Sequence, residues 1–296
     1  MSFAKTSDLT VRFVFRASII FKSGEFSNTV WSVASHAPAQ PSHSKIFSFF
    51  SGTPGKKPKK IVNGEKARSE QEFPYQVSIR IDNNHACGGA IIDETHILTV
   101  AHCVTERNGN PVTDISIFSV LVGTLDSSPW FPTLYNIQSI EIHEEYEPWN
   151  NFINDIAIIT TKLIFNENQQ PIGLPEADVL DGSVVVLSGW GDLNNFWEYF
   201  NRPSFLRMLD TTVVSNELCE NSHHRKIYSQ QLCVLKGLGY GACYGDSGSP
   251  LVYNKTLVGL GSWVTKCAAG IPDVCTRVYT FVSWIKEKIR IESLKL

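Results

Sequence analysis

An all-β fold, either a barrel or a sandwich, is predicted by three features of the sequence. Beyond residue 60 the chain breaks into short apolar or β-branched runs separated by turn residues. Only its last stretch has the period of a helix, and no internal repeat organises the remainder. The 296 residues, 43% hydrophobic and 19% charged, are enough for one large domain or two small ones. Along the chain, Tyr75, Val77, Ile79 and Ile81 alternate, as in a strand with one face in a core. Ile156–Ile159, Ser183–Leu187 and Leu257–Leu260 form further strand-like runs, and Asn254-Lys255 separates Leu251–Tyr253 from Thr256–Val258 as the tip of a hairpin. Phe281, Ile285 and Ile289 recur every fourth residue and predict a closing helix. Lys286, Lys288 and Arg290 lie in its last turns, where the macrodipole favours cations. Residues 27–60, rich in Ser, Pro, Ala and Lys and ending in Lys-Lys-Pro-Lys-Lys, have neither period and read as a flexible leader.

Charge divides the chain at the same place. Residues 1–60 carry nine Lys/Arg against two acids, whereas residues 61–296 carry 17 against 27. The folded part is therefore acidic and offers no basic stripe for phosphates, which excludes a nucleic-acid partner. Every long apolar run is broken by charge within about ten residues, too short for a membrane-spanning helix. Seven cysteines, all after residue 86, contain no CxxC pair. That spacing disfavours structural zinc and suits loop-closing disulfides in an oxidising compartment, with one thiol left over. Secretion is inferred from these cysteines, because the apolar stretch in Met1–Phe26 is interrupted by Arg12, Arg16 and Lys22.

Three segments bear chemistry together: Leu98-Thr99-Val100-Ala101-His102-Cys103, Asn154-Asp155-Ile156-Ala157 and Gly245-Asp246-Ser247-Gly248-Ser249-Pro250. Singly they read as a structural histidine, a turn and another turn. Jointly they supply a nucleophile, a base and an orienting carboxylate. A serine hydroxyl needs a neighbouring base at neutral pH, and an imidazole can take its proton and return it to a leaving amine. A carboxylate on the far ring nitrogen fixes the tautomer and stabilises the cation. With Ile61-Val62-Asn63-Gly64, Cys87-Gly88-Gly89, Ser188-Gly189-Trp190-Gly191 and Ser262-Trp263, the chain resembles a chymotrypsin-type, trypsin-like serine protease over about residues 61–290. Around Cys267–Val278 it is similar to insect chymotrypsin-like and elastase-like digestive enzymes.

The resemblance implies two packed six-stranded antiparallel β-barrels. The first is expected at about 75–165, a linker at 166–182, the second barrel at 183–278 and a C-terminal helix at 279–291, after a leader over 1–60. It implies His102, Asp155 and Ser247 as the catalytic group, and backbone N–H groups of Gly245 and Ser247 as donors to the oxyanion. It also implies disulfides Cys87–Cys103, Cys219–Cys233 and Cys243–Cys267, each contributing roughly 2–4 kcal/mol. Cys275 is left as a free buried residue at the pocket floor. Cleavage between Lys60 and Ile61 is expected to release an amine that pairs with Asp246. Ser249 departs from the family pattern, where a glycine is usual.

By the same resemblance the specificity pocket is walled by Gly241, Ala242, Tyr244, Ser262, Trp263, Val264 and Asp273. Gly241 stands where trypsins have an Asp, and Val264 narrows the slot, so aliphatic side chains are expected first, broad chymotrypsin-like cleavage second and basic side chains, through Asp273, third. No metal or cofactor is expected, since the segment corresponding to the family's calcium loop, residues 123–134, offers only Asp126. Expected partners are protein or peptide substrates, an activating trypsin-like protease and protein inhibitors, acting on a monomer. A catalytically inactive homologue serving as a binding module is the alternative from another class. Asn254-Lys255-Thr256 is a glycosylation sequon.

Overall fold

The computed structural model describes residues 60–192 and 204–293; of the leader expected over residues 1–60, only the backbone of Lys60 lies among them. The described strands form two antiparallel sheets. The first comprises β2 (Gln76–Ile81), β3 (Asn84–Ile91), β4 (His96–Thr99), β5 (Phe118–Val122), β6 (Leu134–Asn136), β7 (Ser139–Ile142) and β8 (Ala157–Thr160). The second comprises β1 (Glu65–Lys66), β9 (Val184–Gly189), β10 (Arg207–Val214), β11 (Gln231–Leu235), β12 (Pro250–Tyr253), β13 (Thr256–Trp263) and β14 (Asp273–Arg277).

The strand counts refine the expectation of two six-stranded barrels. The second sheet closes, because β9 and β10 pair over six residues, Val184↔Thr212 to Gly189↔Arg207; β1 adds to it as an extra edge strand on β10. The first sheet runs β6-β5-β2-β3-β4-β8-β7 and curls without a closing ladder. Its edges are joined by the chain itself, which steps from β6 to β7 through Ile137 and Gln138.

Strand β2 differs from a half-buried strand. Val77 and Ile79 enter the core as the alternation predicts, yet Gln76, Ser78 and Arg80 on the other face are buried too. Hydrogen bonds make that burial tolerable: the Ser188 hydroxyl of β9 donates to Gln76 Oε1 at 2.7 Å, and Arg80 donates to the Ser127 carbonyl at 2.6 Å. The larger apolar cluster likewise spans the two sheets, with Val77, Ile97 and Ile158 packed in one core with Trp190, Leu206, Leu257 and Leu260.

The hairpin tip at Asn254-Lys255 forms as expected, both residues exposed and at positive φ (47° and 61°), which is the two-residue turn that matches strand twist. The closing helix is Val282–Ser293, after a 3₁₀ turn over Val278–Phe281. The turn buries Phe281 and the helix Ile285, and Trp284 packs on His143 while donating to Glu144 at 2.9 Å. A second helix, Asn216–His223, has no counterpart in the sequence reading. Ser215 caps it by accepting the Leu218 N–H at 3.2 Å, and Cys219 is its one buried apolar residue, so no apolar stripe announces it.

Candidate active site

The register of two neighbouring strands brings His102 and Asp155 together. β4 pairs with β8 through Thr99↔Ala157; His102 follows the first strand and Asp155 precedes the second. Val100 and Ala101 are wholly buried, and Cys103 is bonded to Cys87 of β3, so the short turn Ala101–Cys103 is anchored on both sides of His102. The Asp155 carboxylate, 1% exposed, meets His102 twice. Oδ2 lies 2.8 Å from Nδ1, and Oδ1 accepts the backbone N–H at 2.9 Å. The Ser262 hydroxyl donates to the same Oδ2 at 2.6 Å, and the Thr276 hydroxyl donates to the Asp155 carbonyl at 2.6 Å. A carboxylate accepts only, so the ring proton sits on Nδ1 and Nε2 is left with its lone pair. Burial lowers the affinity of His102 for a second proton, but the charge and hydrogen bond of Asp155 outweigh it and hold the imidazole above its ordinary pKa.

Ser247 lies on a loop of the second barrel. Its carbonyl accepts the Gly88 N–H of β3 at 2.7 Å, while Gly248 N–H donates to Gly261 of β13 at 2.7 Å and Gly261 N–H to Ser249 at 2.9 Å. Residues 247–249 are thereby fastened to both sheets. Ser247 and Ser262 line one cavity with Phe152, whose ring meets the His102 ring edge-on at 5.5 Å. Gly245, at φ +95°, has a backbone that L side chains rarely adopt, and its carbonyl accepts from His85 Nε2 at 3.1 Å. His85 Nδ1 therefore accepts from the Ser78 hydroxyl at 2.8 Å. Neither His85 nor Phe152 was among the candidate residues; both depend on contacts between segments far apart in the chain.

Asp246 is buried against Gly189 and Gly191 at the end of β9. Its oxygens accept N–H groups of Gly191 (2.7 Å) and Cys243 (3.0 Å), and no cation pairs with it among the described residues. A Cβ on Gly191 would lie 2.2 Å from Oδ2, so only glycine leaves room for the carboxylate. Burial pushes the Asp246 pKa up to about 7, against the lowering effect of the two N–H donors. Ile61 is wholly buried, in one cluster with Ala242 and Cys275, and Val62 N–H donates to Gly241 at 3.1 Å. Ile61 has φ 30°, which crowds a β-branched side chain.

The cavity beside Ser247 encloses about 260 Å³ and is lined by Ala242, Tyr244, Trp263, Val264, Asp273 and Cys275 among others. Gly241 is not on its lining; the Asp273 carboxylate stands 2.8 Å from where a Cβ of Gly241 would be. Oδ2 of Asp273 accepts the Ala242 N–H at 2.7 Å. Burial raises its pKa to about 7, opposed by that N–H and helped by nearby Asp246. Cys275 is free and buried, and burial together with Asp273 pushes its thiol up. The cysteine pairs 219–233 and 243–267 are bonded, the second tying Cys243 to the loop beyond β13. Among the described residues, one trio has metal-ligating atoms in reach of each other, Cys87, His102 and Cys103, and its two sulfurs are bonded to one another.

Residues 61–285 match the Trypsin family. The chain is 34% identical to Chymotrypsin-2 of Vespa crabro over 232 residues, 77% of this chain and 99% of that one. It is 34% identical to Serine protease SP24D of Anopheles gambiae over 236 residues, 78% of this chain and 82% of the relative. Serine protease 1 of Homo sapiens is 34% identical over 239 residues, 79% and 91% of the respective chains. A match over most of the chain, on a fold of two β-sheets and a C-terminal helix, makes this protein a serine endopeptidase of the trypsin family.

Proposed function

We propose that this endopeptidase is secreted as a precursor, cut between Lys60 and Ile61, and hydrolyses peptide bonds through an acyl-enzyme on Ser247. One observation carries the reading: Asp155 holds His102 by two hydrogen bonds, at 2.8 and 2.9 Å, beside the cavity that Ser247 lines. Nε2 takes the hydroxyl proton as Oγ adds to the substrate carbonyl, and gives it to the amine when the C–N bond breaks. Water then repeats the sequence on the ester, with the proton passing through His102 back to Ser247. N–H groups of Gly245 and Ser247 receive the developing oxyanion.

Cleavage at Lys60-Ile61 is supported by the strain at Ile61 and by the unpaired Asp246. An N-terminal residue has no φ to satisfy, so cutting the bond removes a cost on the order of 1–3 kcal/mol. The new amine would give Asp246 its missing cation. The basic run ending at Lys60 suits an activating protease of trypsin-like preference, and protein inhibitors are the expected regulators. Three disulfides suit an oxidising, extracellular setting. Asn254, exposed on its hairpin tip, is then open to glycosylation.

For the residue before the cut bond, Val264, Ala242 and Val274 on the cavity wall favour small to medium aliphatic side chains. A second reading rests on Asp273: ionised, it attracts Lys or Arg. Ser247→Ala is expected to abolish peptide hydrolysis and labelling by a serine-directed phosphonylating reagent with the melting temperature kept; retained turnover would name another nucleophile. N-terminal sequencing of the active form is expected to begin at Ile61, and uncleaved Lys60→Gln to be inactive.

A further inference from the structure

We infer that a second cavity, lined by the segment that enters β2 and by strands β9, β10 and β12, binds a small neutral compound with an apolar body and one carbonyl oxygen. The cavity encloses about 420 Å³ and shares no lining residue with the one beside Ser247. Strand β9 stands between the two. Val186 lines this cavity, while Leu187, next along the strand and so on its other face, lines the cavity beside Ser247. Phe73, Ile172, Val186, Met208 and Val252 give the second cavity a largely apolar wall, and its size is that of a site for a small molecule.

One polar group on this wall lacks a partner. Tyr75 is 9% exposed, and its hydroxyl makes no hydrogen bond among the described residues. Burial, with the Glu72 carboxylate adding to it, pushes its pKa up, so the hydroxyl holds its proton and is a donor. A shielded O–H without an acceptor costs free energy, which a ligand carbonyl would recover. The neighbouring polar side chains are already engaged: Gln71 donates to Asn168 at 3.3 Å, and Glu72 accepts the Arg68 N–H at 2.9 Å. Glu72 and Lys255 bring opposite charges to the lining, so a charged occupant would gain from one and lose to the other, and a neutral one fits. The walls are held in place beforehand. Ile91 N–H donates to the Tyr75 carbonyl at 2.9 Å, Gln170 N–H to that of Pro74 at 3.0 Å, and Val252 and Val186 are paired between β12 and β9. Little ordering is then left for binding to offset.

The test uses benzophenone, two rings joined through one carbonyl. Under light that carbonyl adds across a nearby C–H bond without loss of mass, and so marks where the probe sits. Irradiation of the full chain with benzophenone is expected to label Met208, read by mass spectrometry of its peptides, with a yield that saturates as the probe is raised. Tyr75→Phe keeps the ring and removes the hydroxyl, and is expected to raise the half-saturating concentration about fivefold, the worth of one hydrogen bond. Diphenylmethane, which lacks the carbonyl oxygen, is expected to compete with an affinity that Tyr75→Phe changes by less than about twofold. Val264→Trp, which fills the cavity beside Ser247, is expected to leave the labelling of Met208 as it was. Labelling that never saturates, labelling that Val264→Trp removes, or equal half-saturation in the wild type and Tyr75→Phe would each overturn the inference.

Discussion

His102 and Asp155 stand beside the ends of two hydrogen-bonded strands of the first sheet, whereas Ser247 and Asp246 belong to a loop of the second barrel, and the cavity walls combine that loop with parts of β13 and β14. A ladder sets the first pair, so the geometry needed for proton transfer follows from strand register and from a buried carboxylate with three donors, with a fourth donor on the Asp155 carbonyl. The loop bearing Ser247 has no ladder. It is held by a disulfide and a few backbone bonds and contains the buried Asp246, while a second buried carboxyl, Asp273, stands at the start of β14 and accepts the Ala242 N–H; the pKa values of both are pushed up to about 7. Strand register thus places the base and its orienting carboxylate, while the nucleophile and Asp246 sit on the irregular loop, with Asp273 against it.

The largest expected effect tests the regular part. Asp155→Asn still accepts the His102 backbone N–H but no longer stabilises the imidazolium, so kcat/KM should fall by about 10³–10⁴ with the fold retained. In the wild type, protonated His102 cannot act as base, so kcat/KM should fall as pH drops through a value above the ordinary 6.5 for imidazole. A small loss in Asp155→Asn, measured beside an unchanged melting temperature, would break the contrast.

Next comes the stability of the uncleaved protein, measured on Lys60→Gln, Ser247→Ala by urea unfolding. An Asp in the unfolded chain loses its proton near pH 3.9, while folded Asp246 keeps it to about 7. The folded state therefore binds more protons between those values, and stability falls as pH rises through that window, by at most on the order of 4 kcal/mol for this group. Cleavage at Ile61 supplies a cation and should flatten the slope; equal slopes before and after would separate Asp246 from activation.

Asp273 sharpens the comparison on the substrate side. The ratio of kcat/KM for an Arg peptide over a Leu peptide should rise about tenfold as pH passes through about 7, where Asp273 ionises, and should be flat in Asp273→Asn. A flat wild-type ratio would remove Asp273 from recognition. The smallest effect concerns Ser249, fully buried with an Oγ that has no hydrogen-bond partner among the described residues. Ser249→Ala should stabilise the enzyme by about 1 kcal/mol in thermal unfolding without altering kcat/KM, since an unmade buried hydrogen bond is a cost. A loss of stability would mean that the hydroxyl is satisfied.

The parts legible in the sequence are those written locally. His102 lies between a buried Ala101 and a bonded Cys103, and Ser247 lies among glycines, so short motifs carry both. The hairpin at Asn254 and the buried face of the closing helix are local patterns as well. The polar face of β2 was not legible, because alternation describes one strand and cannot say that Ser188 of another sheet covers its far side. Phe152 over His102 needs a residue at φ 56°, which no pattern predicts for a phenylalanine. The helix Asn216–His223 lacks an apolar stripe, and the bonds of His223 to Thr265 and Pro272 join segments more than forty residues apart.

The shared core has a consequence for how the molecule comes apart. Trp190, Leu206, Leu257 and Leu260 pack with Val77, Ile97 and Ile158, and backbone bonds from Gly88 and Gly261 grip residues 247–249 from either side. Pulling the sheets apart strips both of apolar cover at once, although the second barrel keeps a cluster of its own around Leu187, Val213 and Leu232. A protease nick within residues 166–182 is therefore expected to leave two pieces that co-elute in gel filtration, held together by that core.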